Sequence, residues 1–194
     1  MRRKIAVRQV RSSILLALVV GLATSAYMPA QPAPAQPLSR QALIDAARKV
    51  MEAARYCAVI TNGDEGRPQA RVIDAFPPDA GMVVWFATNP KSRKVAQIER
   101  DPRVTLYYFD TREPDKGYVT LFGRARLVND KAEKAKRWKP GWEVFWPDRD
   151  AGYLLVEVTP ERIEVSSPSQ GVPQDPVTWA PATIEFPRGS GQRD

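Results

Sequence analysis

Ser92, Arg93 and Lys94 set a hydroxyl and two cations side by side, a few residues beyond a strand-like apolar run at residues 82–86. Between them stand Ala87, Thr88, Asn89, Pro90 and Lys91. Thr88 or Asn89 can cap a helix, and Pro90 suits a first helical position. The segment therefore reads as strand, turn, helix, with the cations in the first helical turn. That turn carries unpaired backbone N–H groups and the positive end of the helix dipole. Cations are out of place there unless an anion compensates them, and the chemistry this points to is phosphate binding. Taken alone, Arg93 and Lys94 read equally well as a solvated helix face.

Other chemistries are excluded by composition. The chain has no histidine. That removes Ser-His-Asp and Cys-His catalysis, His-ligated zinc and His-ligated haem. The single cysteine, Cys57, permits no internal disulfide. It opens an apolar run and reads as a small buried hydrophobe. Asp148 and Asp150 read as turn residues, and the 62–66 stretch (Asn-Gly-Asp-Glu-Gly) as a hairpin turn. No metal site is expected.

The elements that must position the cations follow from periodicity and punctuation. Ser39 reads as an N-cap, and Leu43, Ile44, Ala47, Val50, Met51 and Ala54 recur at helical spacing, predicting a helix over 41–55. Residues 57–61 and 69–75 form a predicted hairpin across the 62–66 turn. The helix carrying the cations is expected to run from Pro90 to about Arg100, ended by Asp101-Pro102. Strands follow at 103–109 and 117–128, the second interrupted by Gly123, which marks a bulge or a close approach. A short helix is expected at 131–138. Two strands are expected at 152–158 and 162–165, parted by Thr159-Pro160. Many short strands joined mostly by turns indicate an antiparallel barrel or sandwich with a few helices.

The termini read differently. Arg2, Arg3, Lys4, Arg8 and Arg11 carry five of the seven net positive charges, so the basic balance is largely local and calls for no nucleic-acid surface. A short apolar run follows at 14–26, ending in Thr-Ser-Ala. Residues 1–28 thus read as a signal peptide, which implies a secreted or periplasmic protein with no membrane attachment after cleavage. An uncleaved signal anchor is the other reading. Residues 29–38 read as a Pro/Ala-rich linker, 39–166 as the folded domain, and 167–194 as a Pro-rich tail, partly docked or disordered.

Three blocks, in order, resemble the FMN-binding split β-barrel family of pyridoxamine 5′-phosphate oxidase. The first is Gly66-Arg67-Pro68-Gln69-Ala70-Arg71-Val72-Ile73. The second runs from Phe86 to Lys94 and on through Gln97-Ile98-Glu99-Arg100-Asp101-Pro102-Arg103-Val104. The third is Val119-Thr120-Leu121-Phe122-Gly123-Arg124-Ala125-Arg126-Leu127. The later runs at 142–148 and 153–158 resemble the general-stress-protein branch. The resemblance implies a mainly β, α+β fold: a six-stranded antiparallel split β-barrel with flanking helices. It implies FMN as cofactor, held between the subunits of a homodimer. It places Arg71, Ser92, Arg93 and Lys94 on the phosphate, and Val72, Ile73, Ala87 and Thr88 along the ribityl chain and ring. Trp138, Trp142 and Trp146 read as core or subunit interface, or as a stack for the ring.

The departures are as informative. Phe76 stands where the oxidase has a lysine near substrate, and Tyr118 where the family has a glutamine near the ring. The oxidase's Arg-x-His element has no counterpart. The expected activity is a flavin-dependent oxidoreductase of another substrate, with no side chain singled out as catalytic. The alternatives are a flavin-binding stress or carrier protein without turnover, and a barrel for deazaflavin or another phosphorylated ligand.

Overall fold

The computed structural model describes residues 37–112 and 117–187. The signal-peptide reading and most of the linker lie outside them. Helix α1, Arg40–Ala54, opens where Ser39 Oγ accepts from the Ala42 N–H at 3.2 Å. It buries Ala46, Ala47, Val50 and Met51. Seven strands follow: β1 Tyr56–Asn62, β2 Pro68–Asp74, β3 Val84–Thr88, β4 Arg103–Asp110, β5 Gly117–Val128, β6 Leu154–Ser166 and β7 Ala182–Glu185. Helix α2, Arg93–Arg100, joins β3 to β4, and α3, Lys131–Lys136, follows β5.

All pairings are antiparallel, in the order β2-β1-β4-β5-β6-β3, with β7 also on β6. The expected barrel strands are β1 to β6, and β7 is an addition at the far end of β6. The two segments expected at 152–158 and 162–165 are one strand. Its first part pairs β3 and its second part pairs β7, while β5 runs along its other side. Thr159-Pro160 does not break the strand, because the pairing register shifts there, opposite Phe122/Gly123. A Cβ on Gly123 would lie 2.3 Å from the Thr159 carbonyl oxygen. Gly123→Ala must therefore pull two backbones apart. The expected cost is about 2–3 kcal/mol, read as a lower urea midpoint.

The sheet does not close. Its end strands, β2 and β3, touch at one isolated bridge, Ala75 with Phe86, supported by the Phe76 N–H donating to Trp85 O at 2.7 Å. Beyond that bridge, towards Ile73 and Thr88, the facing edges of β2 and β3 have no ladder partner. This open seam is the split in the barrel.

The main core is built from alternate residues of β1, β4, β5 and β6 packed under α1, including Val59, Leu106, Leu121, Val156, Val158 and Ile163. A second cluster is aromatic: Trp85, Trp142 and Tyr153 with Val128 and Leu155, flanked by Phe76, Trp138 and Trp146. Cys57 is buried as expected, and burial pushes its thiol up to about 12. A raised thiol pKa means almost no thiolate at pH 8. Iodoacetamide at that pH is expected to leave Cys57 intact in the folded protein and to label it in denaturant.

Candidate functional site

The turn before α2 differs from its sequence reading in one respect. The N-cap is Ser92, not Thr88 or Asn89, and the helix starts at Arg93 rather than Pro90. Asn89 Oδ1 accepts from the Lys91 N–H at 2.8 Å, and Asn89 O from the Ser92 N–H at 3.0 Å. Asn89-Pro90-Lys91-Ser92 is thus a separate turn with Pro90 at its second position, which Pro favours. Arg93 and Lys94 become the first two helical residues, where backbone N–H groups have no intrahelical acceptor. Ser92 makes no side-chain cap bond. Its Oγ lies 3.2 Å from Thr88 Oγ1 instead.

Lys94 Nζ donates to Thr88 Oγ1 at 2.8 Å, so the helix start is tied to the end of β3. Arg71, from β2 across the seam, reaches the same place. Its guanidinium donates to Gln97 Oε1 at 2.8 Å, and to Thr61 Oγ1 and Gln69 O. Thr61 and Gln97 are buried, and Thr61 Oγ1 donates to Gln97 Oε1 at 2.6 Å. A rigid polar network therefore aims Arg71 at the start of α2.

No Asp or Glu among the described residues forms an ion pair with Arg71, Arg93 or Lys94. Burial lowers the pKa of Lys94, and the charge of Arg71 lowers it further. Burial lowers that of Arg71, with the charge of Arg93 added. Three mutually repelling cations gathered at a helix N-terminus have the charge and the donors that complement a multivalent anion.

A cavity of about 1020 Å³ opens along the seam from this point. Such a volume suits a large small-molecule ligand, since such sites span about 300–1,000 Å³. Thr88, Asn89 and Lys94 line its cationic end, and Val72, Ile73 and Ala87 its middle. The far end is lined by Arg55, Tyr56, Asp74 and the segment Lys139, Pro140, Gly141, Trp142, Phe145 and Trp146. Of the eight residues expected at the site, Val72, Ile73, Ala87, Thr88 and Lys94 line the cavity. Arg71, Ser92 and Arg93 do not: Arg71 and Ser92 reach its cationic end through the contacts above, and Arg93 is exposed next to Lys94, near enough for its charge to act on Arg71.

The segment after α3 is the part the sequence reading placed least well. Trp142 is buried and packs edge-on against Phe76, Trp138 and Trp146 at 5.0–5.8 Å between ring centroids. Trp142 is at once core and cavity wall, and Trp146, half-buried against the same cluster, lines the wall beside it, so the two readings of the tryptophans are compatible. Trp138 belongs to the aromatic cluster and is not in the wall. Lys139 pairs with Asp74 Oδ1 at 3.1 Å, donates to Ala75 O at 3.2 Å, and lies 4.3 Å above the Phe76 ring. Trp138, Trp142 and Trp146 at intervals of four, interrupted by Pro140-Gly141, are the signal that marks this wall. Gly141 holds φ 86°, which ends any helix there. Tyr118 is elsewhere: it packs beside Tyr107, and its hydroxyl accepts from Gln174. Asp148 accepts from the N–H groups of Asp150 and Ala151, as a turn residue does. Among the described residues no cluster could hold a metal ion, and no helix is long and apolar enough to cross a membrane.

The pyridoxamine 5′-phosphate oxidase family matches residues 43–167. No curated protein matches the chain. Among solved structures, a Clostridium acetobutylicum protein is related to general stress protein 26 of B. subtilis, of the pyridoxinephosphate oxidase family. It superposes with a TM-score of 0.62 at 20% identity, covering 77% of this chain and 97% of that one. A pyridoxamine 5′-phosphate oxidase-related, FMN-binding protein from Nostoc punctiforme gives 0.52 at 15% identity, covering 78% and 100%. A heme-binding protein from Mycobacterium smegmatis gives 0.53 at 17% identity, covering 67% and 55%. At these identities the structures share the fold.

Proposed function

Because the chain belongs to the pyridoxamine 5′-phosphate oxidase family, we propose that the cavity along the β2–β3 seam binds FMN and that the protein is an exported, homodimeric, flavin-dependent oxidoreductase. The observation that carries this reading is the cation cluster of Arg71, Arg93 and Lys94, without a carboxylate partner, at one end of a long cavity whose other end is aromatic. FMN has that polarity: a phosphate at one end and a flat ring at the other. The residues present fit it. Haem suits the chain less well, since there is no histidine to ligate iron.

Each residue then has a stated task. Arg93, Lys94 and the first N–H groups of α2 hold the phosphate, with Arg71 set from behind by Gln97 and Thr61. Thr88 and Ser92 add hydroxyls. The unpaired edges of β2 and β3 at Ile73 and Thr88 offer backbone groups to the ribityl chain. Trp142 and Trp146 cover the ring and keep water from it. The bound flavin supplies hydride and electron transfer; the protein supplies binding, orientation and electrostatics.

Homodimer formation has its own support. Val72 (73% exposed), Tyr56 (51%), Phe109 (50%) and Tyr107 are exposed apolar residues on neighbouring strands β2, β1 and β4. Val72 and Tyr56 also line the cavity, so a second subunit on that face would finish its wall. Export rests on the basic start and apolar run of the sequence. Titration of the purified protein with FMN tests the binding: saturation near one FMN per chain supports it, and an unchanged flavin spectrum overturns it. Anaerobic reduction of the loaded protein by NADPH or dithionite, followed by reoxidation with candidate acceptors, separates an enzyme from a carrier.

A further inference from the structure

A second, smaller cavity of about 340 Å³ adjoins the first and shares Arg55, Asp74 and Lys139 with its ring end. Its size is at the lower limit of small-molecule sites, about 300 Å³, too small for a nucleotide and ample for a single substituted ring. Three features describe its chemistry. First, two cations lean on one carboxylate: Asp74 Oδ1 is 3.1 Å from Lys139 Nζ and 3.6 Å from Arg55 Nε. The shared wall thus carries an excess of positive charge. Glu52, the other acid in the lining, is exposed and solvated.

Second, the remaining walls are apolar and largely flat: Phe76, Tyr108, Pro77 and Met51. Third, Tyr108 is 2% exposed, and its buried hydroxyl meets no oxygen or nitrogen partner, only the Cys57 sulfur. Its cross-strand neighbour is the Cys57 thiol, a weak partner at best. A buried hydroxyl without a strong acceptor destabilises the fold unless something accepts from it.

We propose that this cavity is the substrate subsite, and that it takes a small planar anion, such as an aromatic or conjugated carboxylate. The inference rests on the FMN reading for its position beside the ring. The carboxylate pairs with Lys139 and Arg55, a second acceptor takes the Tyr108 hydroxyl, and the flat body lies against Phe76. Lys139, already stacked on Phe76 and Trp142 and anchored to Ala75 O, is the residue that selects charge.

The probes are benzoate and its neutral isostere benzamide, added to the FMN-loaded protein and read from the flavin visible band. Benzoate is expected to perturb the band saturably, and benzamide to bind roughly tenfold more weakly or worse, the loss of one charged hydrogen bond. Tyr108→Phe is expected to weaken benzoate several-fold and to leave FMN affinity unchanged, because Tyr108 lines only the smaller cavity. Lys139→Met is expected to abolish the preference for benzoate over benzamide, and Lys139→Arg to keep it. Equal binding of the two probes, or benzoate binding indifferent to both Tyr108→Phe and Lys139→Met, overturns the proposal. Calorimetry of benzoate against the flavin-free protein reads the subsite separately. Benzoate binding there, sensitive to Tyr108→Phe, upholds the subsite even where FMN fails to bind.

Discussion

Replacing both Arg93 and Lys94 by alanine is expected to weaken FMN roughly 150-fold and riboflavin by less than about threefold. The estimate takes about 3 kcal/mol for two charged hydrogen bonds to phosphate, one of them exposed and so discounted. The asymmetry matters more than the size. Riboflavin has the ring and the ribityl chain but no phosphate, so it senses only the seam and the aromatic wall. Equal losses for both ligands would remove these two residues from the phosphate. The stability of the empty protein is expected to change little, because relief of repulsion among Arg71, Arg93 and Lys94 offsets the lost hydrogen bond from Lys94 to Thr88. The pH profile carries the same signature. FMN affinity is expected to rise as the phosphate loses its second proton near pH 6. It then falls as alkaline pH removes the proton from Lys94, whose pKa lies below the ordinary lysine value.

Trp142→Ala is the complementary test and the more damaging one. Trp142 is 7% exposed and touches Phe76, Trp138, Trp146 and Tyr153. Its removal opens a hole in the second core and takes away the wall at the ring end. The expected cost is about 3–4 kcal/mol of stability, or a melting temperature lower by about 10 °C. At a temperature where the variant remains folded, FMN and riboflavin are expected to lose affinity together, by roughly tenfold. A variant that melts early but keeps full affinity for both flavins would make Trp142 structural only.

Much of the fold was legible because the signals are local. Ser39 and the apolar residues of α1 define a capped amphipathic helix without outside help. The 62–66 turn forces the β1–β2 hairpin, and its register then puts Arg71 on the seam. Gly123 was legible as an interruption, and the structure gives the reason: the Thr159 carbonyl occupies the space of a side chain. Thr159-Pro160 misled for a related reason. A proline in mid-strand normally ends pairing, but here it flanks the extra residue of a bulge in its own strand, where the ladder is already displaced. Asn89 and Pro90 also carried a true local signal that served another element, a turn rather than a cap.

The candidate site divides in the same way. Two of its three cations come from one continuous stretch, Thr88 to Lys94, and could be read directly, while Arg71 is carried to them by β2 across the seam. Its aromatic end depends on Lys139–Trp146 folding back over β2, some 65 residues away in the chain for Lys139 and Asp74. No local pattern records that contact. The docking depends on tertiary packing around Tyr153, whose hydroxyl donates to Lys134 O at 3.0 Å. Lys134, nearly fully buried, donates to Asn129 Oδ1 and Asp150 O and so closes the base of the same loop.

A crystal structure of the protein grown with FMN tests the central claim most directly. The account predicts the phosphate at the start of α2, within hydrogen-bond distance of Lys94 and Arg93, with the ring between Ile73 and Trp142. Flavin density elsewhere, or the ring at the α2 end and the phosphate among the tryptophans, would contradict it.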